Sequence, residues 1–314
     1  MYFLFQGVCS CCPFSSISAG RSYSTVTDLI INDCAFFRFE EFSSHGGVIY
    51  ATGNCRLNIT KTMFVRCMVS GTAWGGAIYF SSSESCYMSS ICAFGCSCPN
   101  DGIFCYLYAP ISKDLDLTYI SVTSCSEKRV GLFGLRIDYG NQNIQYLNST
   151  NNRNMNTAGI HFEYPYTLVC SYCSFVDNDS TYINIQFYGT GNSRLFTKCN
   201  VVNSTQDDSY GCFYISGSGT YVITYSVIFN NAYYLFYVNS GGLTVSSCCI
   251  DHQLSQLSYG SLVTQSLSMF KTQLIDYLFF ATFYCEGKAN LATSLPHYCF
   301  YSSMITIFFI ILEQ

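Results

Sequence analysis

Residues 46–50 read GGVIY and residues 74–80 read WGGAIYF, so a glycine pair followed by apolar residues returns after 29 positions. No other feature constrains the fold as much, because a recurrence of that length marks a chain built from stacked copies of one small unit. Aligned on the first copy, Gly47, Gly76, Gly102, Gly131, Gly159, Gly211 and Gly260 share one register, with Tyr182 and Tyr234 in the two vacant slots and spacings of 23 to 29 residues. A second register collects Phe36, Phe64, Phe94, Val122, Ser149, Phe175, Val201, Ile228 and Ile250 at spacings of 22 to 30. Both markers count nine units.

Within a unit, apolar residues alternate with period two, as strands require and helices forbid. The first strand carries pairs such as Leu29/Ile31, Leu57/Ile59, Leu115/Leu117, Tyr221/Ile223 and Leu243/Val245. A second strand ends on the phenylalanine register and a third follows the glycine. The expected fold is all-β: a right-handed parallel β-helix of about nine coils with three short strands per coil, spanning residues 28–265. At about 4.8 Å per coil this makes a rod about 43 Å long.

Each register implies a facing. Val48, Ala77, Ile103, Leu132, Ile160, Ile183, Cys212 and Leu235 follow the glycine and are expected to point inward. That turns Ile49, Ile78, Phe104, Phe133, His161, Asn184, Phe213, Phe236 and Leu262 outward, with Ile78, Phe104, Phe133, Phe213 and Phe236 as a candidate contact face for a partner protein or glycan. The other readings are that a loop or the C-terminal segment covers this stripe, or that the facing is reversed. Three positions after the phenylalanine register, Cys67, Ser97, Cys125, Asn152, Asn178, Ser204, Asn231 and Gln253 form a small polar series suited to a coil-to-coil amide ladder. Two positions before it, Cys34, Cys92, Cys173, Cys199 and Cys248 form an inward column interrupted by Thr62, Ile120, Leu147 and Ser226.

Composition narrows the function classes. Only 11% of the 314 residues are charged, the net charge is -5, and no basic run follows a phosphate backbone, so nucleic acid is excluded as a partner. Twenty cysteines and four Asn-x-Ser/Thr sites, at Asn58, Asn148, Asn178 and Asn203, point to an exported glycoprotein. The opening MYFLFQGVCSCCPF is not a well-formed signal peptide, and residues 1–27 are read as an N-terminal cap or incomplete leader. Residues 266–314 are read as a C-terminal cap, and their MITIFFIIL stretch, Met304 to Leu312, serves either as a clipped membrane anchor or as a last buried strand.

Gly75-Gly76-Ala77-Ile78 is a GGAI tetrapeptide and Phe175-Val176-Asp177-Asn178 an FxxN tetrapeptide. On these motifs, with the Gly46-Gly47 copy, the chain resembles the polymorphic outer membrane proteins of chlamydiae and the β-helix surface families of trichomonad protozoa. The resemblance covers roughly residues 28–265 and implies a surface-displayed passenger that adheres to host or neighbouring cells. No C-terminal membrane barrel and no full membrane helix with a basic tail is expected.

The chemical alternatives are weaker. Cys170-Ser-Tyr-Cys173 has metal-ligand spacing, but His161 and Cys199 supply no second pair at zinc intervals, so neither metal nor cofactor is expected. Adjacent-coil Cys173 and Cys199 are close enough to cross-link, and Cys9, Cys11, Cys12, Cys96 and Cys98 are either paired or free. A polysaccharide-cleaving enzyme needs carboxylates converging from neighbouring coils on one outer face. Asp207-Asp208 reads as a polar turn, Asp114 and Asp116 share one outward face, and the four histidines are scattered. The expectation is a non-catalytic surface or secreted interaction protein, with a carbohydrate-active β-helix enzyme as the alternative; three or more acids clustered in one groove would favour the latter.

Overall fold

The computed structural model describes residues 3–5, 21–22, 27–41, 45–126, 129–190, 194–207, 210–231, 234–251 and 258–267. Most of the two terminal segments read as caps lies outside these, as do Gln253, Asp208, Cys9, Cys11, Cys12 and the MITIFFIIL stretch.

Every described strand pairing is parallel and joins one coil to the next, which makes the chain an all-β parallel solenoid. About seven turns are complete, slightly fewer than the nine units counted from the sequence. Toward the C-terminal end the strands shorten to two to five residues but still pair in register.

In early coils the first two expected strands are one long strand, as in Arg56–Val65, Cys86–Phe94, Asp114–Thr123 and Asn141–Thr150. Each bends at a single left-handed residue, namely Lys61, Ser90, Tyr119 and Tyr146, with φ between 46 and 59°. Leu29, Ile31, Leu57, Ile59, Leu115, Leu117, Tyr221, Ile223, Leu243 and Val245 all face inward and are at most 2% exposed, as the alternation requires.

The phenylalanine column holds with one slip. Phe64 pairs with Ala93, and Ala93 with Val122, so Ala93 takes the place assigned to Phe94. Ile91 and Cys96 likewise replace Cys92 and Ser97 in the two flanking columns. The small Ala93 leaves room for the buried Phe104 ring, whose centroid lies 5.8 Å from that of Phe64. Beyond this coil the series Val122, Ser149, Phe175, Val201, Ile228 and Ile250 stacks in register.

The polar column is a hydrogen-bonded ladder. Backbone N–H groups of Cys125, Asn152 and Ser204 each donate at 3.0 Å to the side-chain oxygen of Asn152, Asn178 and Asn231, one coil on. The amide nitrogens of Asn152, Asn178 and Asn231 donate back to the carbonyls of Val122, Ser149 and Val201 at 2.8 to 3.0 Å. These amides satisfy backbone groups that the second left-handed corner, at Ser124, Asn151, Asp177, Asn203 and Asn230, turns away from the sheets.

The two tetrapeptides now have physical roles. Gly75 needs its φ of 71°, and a Cβ on Gly76 would lie 1.9 Å from the Ile103 carbonyl of the next coil. Gly46 and Gly47 repeat this one coil earlier, whereas Gly102 falls in the register of Gly75 rather than Gly76 because Cys105 pairs with Ile78. In the FxxN copy, Phe175 fills the core and Asn178 belongs to the ladder.

The expected outward stripe is corrected. Ile78, Phe104, Phe213 and Phe236 are 0% exposed and belong to the core, whereas Phe133, 8% exposed, lies outside the core cluster against His161, which faces outward as expected. At the glycine turn two successive N–H groups converge on one carbonyl: Val48 and Ile49 on Ala77, Ala77 and Ile78 on Phe104, Asn184 and Ile185 on Cys212. Such a bulge directs two consecutive side chains to the same side. Val48 with Ile49, and Ala77 with Ile78, therefore both enter the core, and alternation restarts one position later than a continuous strand would place it.

Candidate functional site

The restart defines the outer face of the second sheet, built from strands such as Ile49–Gly53, Ile78–Ser82, Cys105–Tyr108, Leu135–Asp138 and Thr157–Glu163. Its first outward column runs Tyr50, Tyr79, Tyr106, Arg136, His161, Gln186, Tyr214, Tyr237 and Tyr259, each in register with the next. Two residues on, a parallel column runs Thr52, Ser81, Tyr108, Asp138, Glu163, Tyr188 and Ser216.

Aromatic rings occupy both ends of the face. Tyr79 stacks between His45 and Tyr106 at 4.5 and 5.1 Å, and Trp74 lies 5.2 Å from Tyr106. The Trp74 backbone N–H donates to His45 Nδ1 at 2.8 Å, and burial lowers the His45 pKa from its ordinary value. Toward the C-terminal end, Tyr214, Tyr237 and Tyr259 stack at 5.5 and 4.8 Å, with Tyr210 set edge-on to Tyr237. Tyr259 is 61% exposed and Tyr210 38%. Stacking covers most ring faces, so the surface presents ring edges and phenol hydroxyls at intervals of one coil.

Between the aromatic ends lies an ionic cluster drawn from neighbouring coils. Arg136 donates from Nη1 to Asp101 at 2.6 Å, from Nε to both Asp138 oxygens at 3.0 and 3.2 Å, and from Nη2 to Glu163. The Tyr106 hydroxyl donates to Asp138 at 2.8 Å, and His161 Nε2 lies 3.2 Å from Glu163 Oε2. The Phe133 ring covers His161 at a centroid distance of 4.2 Å, and the Arg136 guanidinium lies 5.1 Å from its centroid.

Burial pushes the Asp101 and Asp138 carboxyls up, against the opposing charge of Arg136. Burial acts the same way on Glu163, but the hydrogen bond from His161 and the charge of Arg136 outweigh it and hold that carboxyl low. Asp101 Oδ1 and His161 Nδ1 are buried without a hydrogen-bond partner among the described residues. Ligand atoms of Asp138, His161 and Glu163 lie within 4.8 Å of one another, although Arg136 already occupies both carboxylates.

Asp101, Arg136, Asp138 and Glu163 were not singled out from the sequence. A signal for the column they flank was present, since tyrosine closes both GGVIY and GGAIY. Elsewhere, Asp114 and Asp116 share an outward face and accept from Asn141 and Asn143 of the next coil, and Asp207 is ion-paired with Arg129. Of the Asn-x-Ser/Thr sites, Asn203 is exposed and Asn58 and Asn148 are half-buried. Asn178 is 1% exposed with its amide nitrogen bonded to Ser149, so the folded solenoid leaves no room for a glycan there.

No protein-family model, no curated protein and no solved structure matches this chain. No helix among the described residues is long and apolar enough to cross a membrane.

Proposed function

We propose that this chain is a non-catalytic surface or secreted interaction protein that adheres through the outer face of its second sheet. The observation that carries the reading is the column of tyrosines flanking Arg136, with Trp74 beside it, on a rigid parallel scaffold. Trp, Tyr and Arg are enriched among the residues that carry most of the binding energy at protein contacts, and aromatic rings combine a large buried area with a polar handle. The partner is a protein or glycan on a host or neighbouring cell. The GGAI and FxxN motifs support this through their resemblance to displayed β-helix passengers, and the exposed Asn203 acceptor site supports passage through a secretory route.

The test is binding of the purified chain to intact cells and to immobilised glycans, compared with a Tyr237→Ala/Tyr259→Ala variant. Two contact aromatics at about 1 kcal/mol each give a loss of at least about tenfold. Tyr225→Ala, at the exposed corner of the first sheet, should bind normally. Equal binding by all three proteins would refute the assignment of this face.

A second reading, a carbohydrate-active enzyme, rests on the convergence of Asp101, Asp138 and Glu163 from successive coils. Two features weigh against it: each carboxylate is held by Arg136, and both aspartates are less than a tenth exposed. Release of reducing sugar from acidic polysaccharides, abolished by Glu163→Gln, would establish it in place of the first.

A further inference from the structure

In a flat strand, residues three apart point to opposite faces. Cys170 and Cys173 escape this because Tyr172, at φ 57°, swings the chain through the left-handed corner and turns both side chains into the core. Pairing of Ser174 with Asn200 sets the next coil's Cys199, just after its own corner residue Lys198, beside Cys173. The three Sγ atoms lie within 4.8 Å of one another, and all three residues are 0% exposed.

The same corner in other coils holds Ile31/Cys34, Ile59/Thr62, Met88/Ile91, Leu117/Ile120 and Ile144/Leu147. Fourteen described cysteines are unbridged and buried, yet only these three bring three sulfurs together. A third sulfur is superfluous for packing, where a cysteine acts as a small apolar side chain. The Leu147 N–H also points at Cys173 Sγ from 3.4 Å, placing a partial positive charge where a thiolate would sit.

We infer that Cys170, Cys173 and Cys199 form a three-sulfur site for one soft, thiolate-preferring cation of low coordination number, with Cu(I) as its first-row representative. Zinc fits poorly: its structural sites take four ligands, and the cluster brings no histidine or carboxylate to its three sulfurs. Each thiol that ligates as thiolate releases its proton to solvent. Because the sulfurs are sealed inside the solenoid, the ion enters as the chain folds and leaves only when it unfolds. The absence of a second ligand pair at zinc spacing hid the site, since its third ligand comes from the neighbouring coil.

The test is to refold the full chain anaerobically with Cu(I) under reductant, then challenge it with the Cu(I) chelator bathocuproine disulfonate. One copper per chain should resist the chelator and be released on denaturation. Cys173→Ala and Cys199→Ala should lose it, while Cys67→Ala, in another buried column, keeps it. X-ray absorption at the copper edge of the unsubstituted protein should give three sulfur neighbours, a readout that does not depend on the variants folding. Any other sulfur count, equal retention by the Cys170→Ala/Cys173→Ala/Cys199→Ala protein, or a disulfide joining two of the three in the native chain would overturn the inference.

Discussion

Arg194 presents the sharpest energetic conflict in the molecule. It points into the core from the strand Arg194–Thr197, between Leu168 and Tyr221 of the adjacent coils, and is 1% exposed. Nε, Nη1 and Nη2 have no acceptor among the described residues, and burial lowers the pKa of the guanidinium from its ordinary value. A compensating contact is the Tyr221 ring, 4.6 Å from centroid to Cζ. An uncompensated buried charge costs about 3–5 kcal/mol, and a desolvated cation–π contact returns about 2.

Arg194→Met, which keeps side-chain length and removes the charge, should therefore stabilise the solenoid by about 1–3 kcal/mol. At about 3 °C per kcal/mol for a domain of this size, the melting midpoint rises by roughly 3–9 °C. Urea titration followed by circular dichroism measures the change, and a cycle with Tyr221→Leu isolates the ring contact. A loss of stability above about 1 kcal/mol in Arg194→Met would show that the guanidinium is paired and would refute the reasoning.

Three further outcomes follow from the same geometry. Asn178→Ala strands the Asn152 N–H and the Ser149 carbonyl and should cost about 2–6 kcal/mol by urea titration, at about 1–3 per unsatisfied group. Gly76→Ala, whose Cβ would meet the Ile103 carbonyl at 1.9 Å, should fail to fold, whereas Gly242→Ala meets nothing within 4 Å and should be neutral or stabilising by up to about 1 kcal/mol in thermal melts. Glu163, held below its ordinary 4.5, contributes stability above that pH that is lost as acid passes through its folded value. The raised Asp101 and Asp138 act in the opposite sense, with stability present below 3.8 and lost as pH rises through their folded values. Acid titration of Glu163→Gln should consequently show a shallower loss of stability below pH 4.5 than the unsubstituted chain.

Much of the architecture is local and was therefore legible in the sequence. Alternation within Leu29/Ile31 or Leu243/Val245 determines which face of a strand is buried, because successive side chains on a strand must oppose one another. The recurrence of Gly46-Gly47 and Gly75-Gly76 and of the asparagine column determines that coils stack, since a ladder forms only between like positions. What alternation cannot carry is parity across a turn. Two N–H groups sharing the Ala77 carbonyl put both Val48 and Ile49 in the core, and Ile78, Phe104, Phe213 and Phe236, expected outside, became interior, with tyrosines taking most of the outer column.

The adjacency of Cys173 and Cys199 was legible in the sequence, but the grouping of all three sulfurs and the whole ionic cluster were decided by tertiary structure. Glu163 reaches Arg136 because strand register sets it beside Asp138, Asp101 reaches it from the preceding coil, and Cys170 and Cys173 share the core with Cys199 through a corner one residue wide. The physical reason is the same in both cases. Repetition determines which coil lies next to which, whereas the dihedral angles of single turn residues decide which side chains of those coils share a face.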